Sequence, residues 1–339
     1  MKERYSRQIL FPPIGEHGQS MLASAHVVMI GCGALGTHIA ETLIRAGLGA
    51  LTIADRDYVE MSNLQRQQIF TERDAREGVP KVVAAKKSLQ KIREDAHILT
   101  ILDHVDGPLL EQLVSGADII MDATDNLDTR LLINDVAWKH GIPWIYGACV
   151  GSTGVMFPFV PQTTACFRCL LPILPTVTQT CDTSGIIAPV ASIVAANQSA
   201  EALKWLTGNK EKMRNQLFHF DLWDNTFIEA GISRLKNDDC LTCSSQATYP
   251  ALEKQEQTNF AVLCGRDTVQ VIPNEKRKLT ISDGEQVVKR LGIEYRITDF
   301  FIEFYIASYR CILFENGRLF IHGLKEISKG RKLYHQLFG

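Results

Sequence analysis

The sequence predicts an α/β fold: a mostly parallel sheet with antiparallel additions, followed by a small C-terminal α+β domain. Three observations predict it. His26 to Ile30 is an apolar run that leads into Gly31-Cys32-Gly33-Ala34-Leu35-Gly36 and then into a helix-like spacing. Strand-like runs and amphipathic stretches go on alternating to Ala148, which implies parallel strands with helices on both faces. Past a polar stretch, Asn237 to Lys254, the alternation gives way to short strand candidates and an Asn-Gly turn signal.

The elements follow in order. After the first strand, Thr37 to Ala46 carries apolar residues at helical spacing (Ile39, Ala40, Leu43, Ile44), with Gly47 as its stop. Leu51 to Ala54 reads as the second strand, closed by Asp55. Val82 to Ile92 predicts a helix, Ala96 to Leu102 a strand, and Pro108 to Ser115 a helix. Asp118 to Asp122 is an apolar strand followed by Thr124-Asp125-Asn126, then a helix over Leu127 to His140 and a strand over Pro143 to Ala148. Gly151 to Val160 reads as one or two antiparallel strands. Pro189 to Leu206 is a helix with Pro near its start and Gly208 after its end, and Gln216 to Leu222 is a strand.

Beyond the polar boundary, Phe260 to Leu263, Val269 to Ile272, Ile302 to Ala307, Arg310 to Phe314 and Leu319 to His322 are strand candidates. Asn316-Gly317 supplies a tight hairpin, and Asp283 to Leu291 and Ile327 to Phe338 read as helices. The aromatic cluster Phe300, Phe301, Phe304, Tyr305 and Tyr309 reads as the core of this domain. The expected domains are residues 1–248 and 255–339.

Composition narrows the function classes. The chain has 339 residues, 36 Lys plus Arg and 38 Asp plus Glu, for a net charge of −2. That balance argues against a general nucleic-acid binder. Met1 to Gln8 lacks the apolar core of a signal peptide, and no apolar run approaches the ~20 residues needed to span a membrane. Nine cysteines, an odd count in a chain this long, do not read as a disulfide framework. The expectation is a cytoplasmic, reduced protein with no membrane or nucleic-acid partner.

The glycine loop carries the first chemical reading. Gly31 permits the tight turn, Gly33 lets backbone approach a phosphate, and Gly36 lets the helix pack close to the strand. The helix N-terminus offers free N–H groups to an anion. Asp55, 19 residues after Gly36, stands where an acid accepts hydrogen bonds from ribose hydroxyls. These features make the sheet Rossmann-like. Ser62-Asn63-Leu64-Gln65-Arg66-Gln67 and Pro80-Lys81 follow closely. Arg66 and Lys81 would bring two positive charges to the phosphates, which suits a triphosphate losing pyrophosphate better than a dinucleotide.

These stretches make the chain resemble the ThiF/MoeB family, the ATP-dependent adenylyltransferases that activate ubiquitin-like proteins. The matching segments are Arg4 to Gln8, Gly31 to Gly36, Asp55 to Asp57, Ser62 to Gln67, Pro80-Lys81, Asp122 to Asn126, Cys166 to Cys169, Cys181 to Pro189 and Cys240 to Cys243. They run in family order, with Ala34 where relatives often carry Gly.

The resemblance implies ATP as cofactor. Gly31, Gly33, Ala34, Gly36, Asp55, Asp57, Ser62, Asn63, Leu64, Gln65, Arg66, Lys81, Asp125 and Asn126 would form its site. It implies that Asp125 lies by the phosphates and positions Mg2+. Arg7 would reach into the neighbouring site of a homodimer. The implied catalytic group is Arg7, Arg66, Lys81, Asp125 and Cys181. The implied substrate is the C-terminal carboxylate of a small ubiquitin-like sulfur-carrier protein ending in Gly-Gly. Adenylation would prepare it for thiocarboxylate formation, with a sulfurtransferase or cysteine desulfurase as sulfur-donating partner. Length and general similarity lean toward the carrier of molybdopterin (molybdenum cofactor) biosynthesis; the carrier of the thiazole (thiamine) route is the alternative.

The cysteines divide. Cys166-x-x-Cys169 and Cys240-x-x-Cys243 are two knuckles with 70 residues between them. Four thiolates can close a tetrahedral Zn2+ site, and free thiols are the competing reading. The resemblance favours Zn2+. Cys181 matches the place where some relatives carry a reactive cysteine; a non-catalytic loop cysteine is the competing reading. Cys32, Cys149, Cys264 and Cys311 read as ordinary thiols.

Two readings of other classes stay open. An NAD-dependent oxidoreductase would use the glycine loop and Asp55 but leaves Arg7, Arg66, Lys81 and the cysteine pairs unexplained. A non-enzymatic module binding a ubiquitin-like fold would leave the nucleotide residues without a purpose. The C-terminal domain shows no rhodanese active loop and reads as an accessory that seats the carrier or the dimer.

Overall fold

The computed structural model describes residues 3–173, 184–253, 260–262, 267–271, 279–315 and 317–338. The chain divides into two compact units, Met1–Gln255 and Glu256–Gly339.

The first unit is built on an eight-stranded sheet. Its strands are β1 (His26–Ile30), β2 (Ala50–Ala54), β3 (His97–Ile101), β4 (Ile119–Asp122), β5 (Trp144–Val150), β6 (Thr153–Phe159), β7 (Gln216–Asp221) and β8 (Thr226–Gly231). Their order is β3-β2-β1-β4-β5-β6-β7-β8. Strands β1 to β5 run parallel, and β6, β7 and β8 are added antiparallel. Alternation along β1 explains why both faces are covered. Val27 and Met29 pack into a core with Ile39, Leu43, Val82, Leu89 and Val194. Val28 and Ile30 point the other way, into a core with Leu110, Leu113, Ile133 and Val136. Helices Ala34–Ala46, Lys81–Ile92 and Ala188–Leu206 therefore lie on one face, and Gly107–Leu113 and Leu127–His140 on the other.

The order places β1 between β2 and β4, so the chain leaves β1 toward one side and later returns on the other. That makes the C-terminal ends of these strands a topological switch point, the place where open α/β sheets bind ligands. The helix after the glycine loop starts at Ala34, one turn earlier than the apolar spacing alone indicates, because Gly33 itself is the N-cap.

Within the second unit, β9 (Phe260–Val262), β10 (Thr268–Val271), β11 (Tyr295–Ile297), β12 (Phe301–Ile306), β13 (Tyr309–Phe314) and β14 (Leu319–His322) form an antiparallel sheet. Its order is β11-β12-β13-β14-β10-β9. Val269, Val271, Ile302, Phe304, Cys311, Leu313 and Ile321 make one core with Val288, Leu337 and Phe338 of helices Ile281–Leu291 and Ile327–Phe338. The aromatic cluster is only partly core. Phe301 and Phe304 are buried, whereas Tyr305 is exposed. Tyr305 follows Phe304 directly in β12, so it faces the other side of the pleat and meets solvent there.

Candidate functional site

The glycine loop is built as its residue types require. Gly31 has φ +95°, and its N–H donates to the Ala54 carbonyl at 2.8 Å, which ties the end of β1 to β2. A Cβ on Gly31 would stand 2.7 Å from the Ala123 carbonyl carbon, so the loop presses against the end of β4. Gly36 lies under Gly31, where a Cβ would collide with the Gly31 carbonyl oxygen. Gly33 differs. The nearest atom to a Cβ there is Gln67 Nε2 at 3.7 Å, so its surface is open to an approaching group. Ala34 begins the helix, and its half-buried side chain packs on the core.

Asp55 follows β2 and braces the loop. Its Oδ2 accepts the Cys32 N–H at 2.6 Å, and its Oδ1 accepts the Asp57 N–H at 2.7 Å. Burial pushes this carboxyl up. Lys81 pulls it down, Asp57 pushes it up, and the two backbone N–H groups pull it down. Lys81, the first residue of its helix, is buried, with Nζ 3.0 Å from Asp57 Oδ2. Its backbone N–H also donates to the Asp57 carbonyl at 2.9 Å, so chain and side chain both fix the ammonium beside the acids.

Between Asp57 and Lys81 the chain makes the turn Met61–Asn63. Asn63 is buried, and its Oδ1 accepts the Glu60 N–H at 3.0 Å, capping that turn. Ser62 is exposed, with Oγ 3.4 Å from Glu60 Oε2. Leu64 packs on the core. Gln65 Nε2 donates to the Ile186 carbonyl at 3.4 Å, and Arg66 Nη1 donates to the Ser62 carbonyl at 2.8 Å. Of the predicted residues here, Arg66 and Gln65 offer polar ends, whereas Leu64 serves packing and Asn63 serves the turn.

At the end of β4, Asp125 is exposed and Asn126 caps helix Leu127–His140 by accepting the Thr129 N–H at 2.9 Å. Arg7 is exposed on the short helix Ser6–Ile9. Cys181 lies outside the described residues, as does Cys264.

Sequence reasoning left one group at this site without a role. Asp122 is fully buried; its Oδ1 accepts the Thr124 N–H at 2.9 Å and hydroxyl at 2.7 Å, and its Oδ2 accepts Arg130 Nε at 3.2 Å. Arg130 Nη2 donates to the Thr124 carbonyl at 2.7 Å and the Gly147 carbonyl at 3.3 Å. Gln198 donates to the Asp122 carbonyl at 2.8 Å and the Ile145 carbonyl at 3.1 Å. This network holds the segment that displays Asp125. The readable signal was an acid and a base eight residues apart at the end of an apolar strand.

The four knuckle cysteines come together. Their Sγ atoms all lie within 4.8 Å of one another. Cys166 to Cys169 is 3.8 Å, Cys166 to Cys240 is 3.5 Å, and Cys169 to Cys243 is 3.5 Å. A tetrahedron with Zn–S of about 2.3 Å has S···S edges of about 3.8 Å, so the set fits a closed zinc site. Three of the four are buried and Cys243 is half-buried. Cys32 and Cys311 are buried thiols whose ionisation burial suppresses.

The family model described as ThiF family matches residues 5–242. The chain belongs to the ThiF family. Within that ThiF family it is 44% identical over 339 residues to "Sulfur carrier protein ThiS adenylyltransferase" of Bacillus subtilis, covering 100% of both chains. It is 35% identical over 243 residues to "SAMP-activating enzyme E1" of Haloferax volcanii, covering 71% of this chain and 88% of the relative. Among solved structures, Escherichia coli MccB with AMPCPP and MccA superposes with a TM-score of 0.62 at 25% identity. The match covers 71% of this chain and 74% of that one. The ThiF-family match ends at residue 242, so it spans the glycine loop and the first three knuckle cysteines.

Proposed function

We propose that this ThiF-family chain is an adenylyltransferase acting on a small ubiquitin-like sulfur-carrier protein that ends in Gly-Gly. A carboxylate oxygen of the carrier's terminal glycine attacks the α-phosphorus of ATP. The bond from that phosphorus to the bridging oxygen breaks, pyrophosphate leaves with the electron pair, and an acyl-adenylate remains. The observation that carries this reading is the meeting of the open Gly33 surface, the Asp55 carboxylate and the buried Lys81 ammonium at the ends of β1 and β2.

Each residue has a part. The Gly33 surface and the first turn of helix Ala34–Ala46 receive phosphate oxygens. Asp55 accepts from ribose hydroxyls. Lys81 and Arg66 stabilise charge that develops as pyrophosphate departs. The exposed Asp125 carboxylate would hold Mg2+, which neutralises phosphate charge when bound. The four cysteines would hold a structural Zn2+, with no ligand position left for water. Little covalent work falls to the protein, so positioning and charge carry the rate.

Two further assignments belong to the same reading. Arg7 reaches the site of a second copy. Its exposure, beside the exposed Leu10 and Phe11 on the same segment, supports a homodimer contact there. The first unit carries adenylation, and the second seats the carrier or the dimer. The sulfur donor is a sulfurtransferase or cysteine desulfurase, and Cys181 serves sulfur chemistry. Among the described residues no helix is long and apolar enough to cross a membrane, in keeping with a cytoplasmic enzyme.

The sequence leans toward the molybdopterin carrier. The end-to-end likeness to a ThiS adenylyltransferase, which includes the second unit, favours the thiazole carrier instead. ATP–pyrophosphate exchange with each purified carrier tests both levels. Exchange driven by the thiazole carrier alone is expected. Exchange with the molybdopterin carrier alone reverses the branch. Binding of a nicotinamide cofactor with no exchange overturns the enzyme class.

A further inference from the structure

A buried carboxylate outside the thiol cluster links its two halves. Asp135 lies in the second half of helix Leu127–His140 and is fully buried. Its Oδ2 accepts Arg168 Nη2 at 3.0 Å, and Arg168 sits inside the first knuckle, between Cys166 and Cys169. Its Oδ1 accepts the hydroxyl of Thr242, which sits inside the second knuckle, between Cys240 and Cys243. Arg168 Nε donates to that same hydroxyl at 2.9 Å. The three side chains thus close a ring that each knuckle enters once. Two further bonds lock it: Ala251 N–H donates to Asp135 Oδ2 at 2.8 Å, and Phe167 N–H donates to the neighbouring Asn134 Oδ1 at 2.9 Å.

We propose that Asp135 is a positioning residue for the four-cysteine site, setting the distance between two knuckles that the sequence leaves 70 residues apart. The proposal rests on the reading of the cluster as a zinc site. Charge alone would not place an acid here. Four thiolates around Zn2+ carry a net charge of about −2, and a further negative charge nearby is unfavourable unless compensated. The Arg168 guanidinium supplies that compensation, and what Asp135 adds is geometry. Its two oxygens hold one residue of each knuckle in register before any metal arrives. The Thr242 hydroxyl is used twice, once as donor and once as acceptor. Its backbone N–H also donates to Cys240 Sγ at 3.4 Å, so a shift of Thr242 moves a ligand directly. Groups that orient metal ligands in this way are commonly worth about 10- to 100-fold in metal affinity.

The test is transfer of zinc from the purified full-length protein to a chromogenic chelator, with folding of each variant followed by circular dichroism. Wild type is expected to hold one zinc per chain and release it slowly. Asp135→Asn and Thr242→Val are expected to release it at least tenfold faster, and Thr242→Ser, which keeps the hydroxyl, to restore the slow rate. If Asp135→Asn fails to fold, Thr242→Val against Thr242→Ser decides. Folded Thr242→Val releasing zinc at the wild-type rate overturns the positioning role and leaves the zinc reading standing. Wild type purified without zinc overturns the zinc reading itself.

Discussion

Gly36 stands directly beneath the carbonyl oxygen of Gly31, with no room between them for a single methyl group. Gly36→Ala should therefore lose about 1–3 kcal/mol of stability by overpacking. Gly33→Ala has space and should fold normally, yet its methyl would occupy the surface offered to phosphate. Urea midpoints and ATP titrations on both variants separate the two roles. Unchanged ATP affinity in Gly33→Ala would remove the phosphate from that surface.

Lys81 and Arg66 differ in depth, so their variants should differ in kind. Lys81→Met leaves Asp57 without its 3.0 Å partner and should lower both exchange and the melting temperature. Arg66→Met should lower exchange, with little thermal effect, because its contact to the Ser62 carbonyl is at the surface. A loss of about 100-fold in exchange is expected for each. Parallel exchange assays and melting curves give the comparison.

Asp125 is the sharpest case. It is exposed, so Asp125→Ala should melt with wild type, yet carrier-dependent ATP–pyrophosphate exchange should vanish. Near-normal exchange would sink its assignment to the phosphates and Mg2+.

The buried pair behind it predicts a pH dependence. Burial raises the Asp122 carboxyl above its ordinary 3.8, against the opposing pull of Arg130 and Thr124. The folded chain then holds this proton more tightly than the unfolded chain does. The stability it contributes is present in full below 3.8 and is lost as pH rises through the higher folded value. Asp122→Asn should abolish that part of the slope, while Arg130, left without its carboxylate partner, adds a constant penalty. Chemical denaturation of both proteins at a series of pH values reads the difference. Identical slopes would refute it.

Removal of the knuckle thiols should act on stability before activity. Cys166→Ser or Cys240→Ser should drop bound zinc well below one per chain and lower the melting temperature. Elemental analysis with calorimetry checks it; a full complement of zinc in Cys240→Ser would exclude that residue as a ligand.

What the sequence disclosed followed the range of the interactions. Gly31, Gly36 and Asp55 were legible because their jobs are local to one strand–loop–helix unit. The inner parallel strands β1, β2 and β4 were legible because they bury both faces and so stay mostly apolar along their length, whereas edge strand β3 exposes His97 and Leu99. Strand β8 was not, since all of Thr226–Gly231 is exposed and no alternation marks it. Helix Gly15–Ser24 was hidden by Gly18, an unfavourable helix residue that Thr207 demands: a Cβ there would stand 3.0 Å from the Thr207 Cβ. The turn at Ala307, with φ +52°, uses no glycine to announce itself. At the site, the Asp122–Arg130–Gln198 network stayed dark because one of its bonds joins residues 76 positions apart. Asp135 stayed dark for the same reason, its contacts reaching residues 33, 107 and 116 positions away.

The distance between Cys166 and Cys240 along the chain, 74 positions, also orders events in time. Bringing two points that far apart together forfeits on the order of 4 kcal/mol of chain entropy. During synthesis the first knuckle leaves the ribosome long before the second. The parallel strands β1 to β5 are complete by residue 150, so they can assemble while Cys166 and Cys169 still lack their partners. The four-cysteine cluster can therefore close only after β1 to β5, which carry the glycine loop, have been made. A nascent chain halted before Cys240 would hold all five strands with the two knuckles still apart.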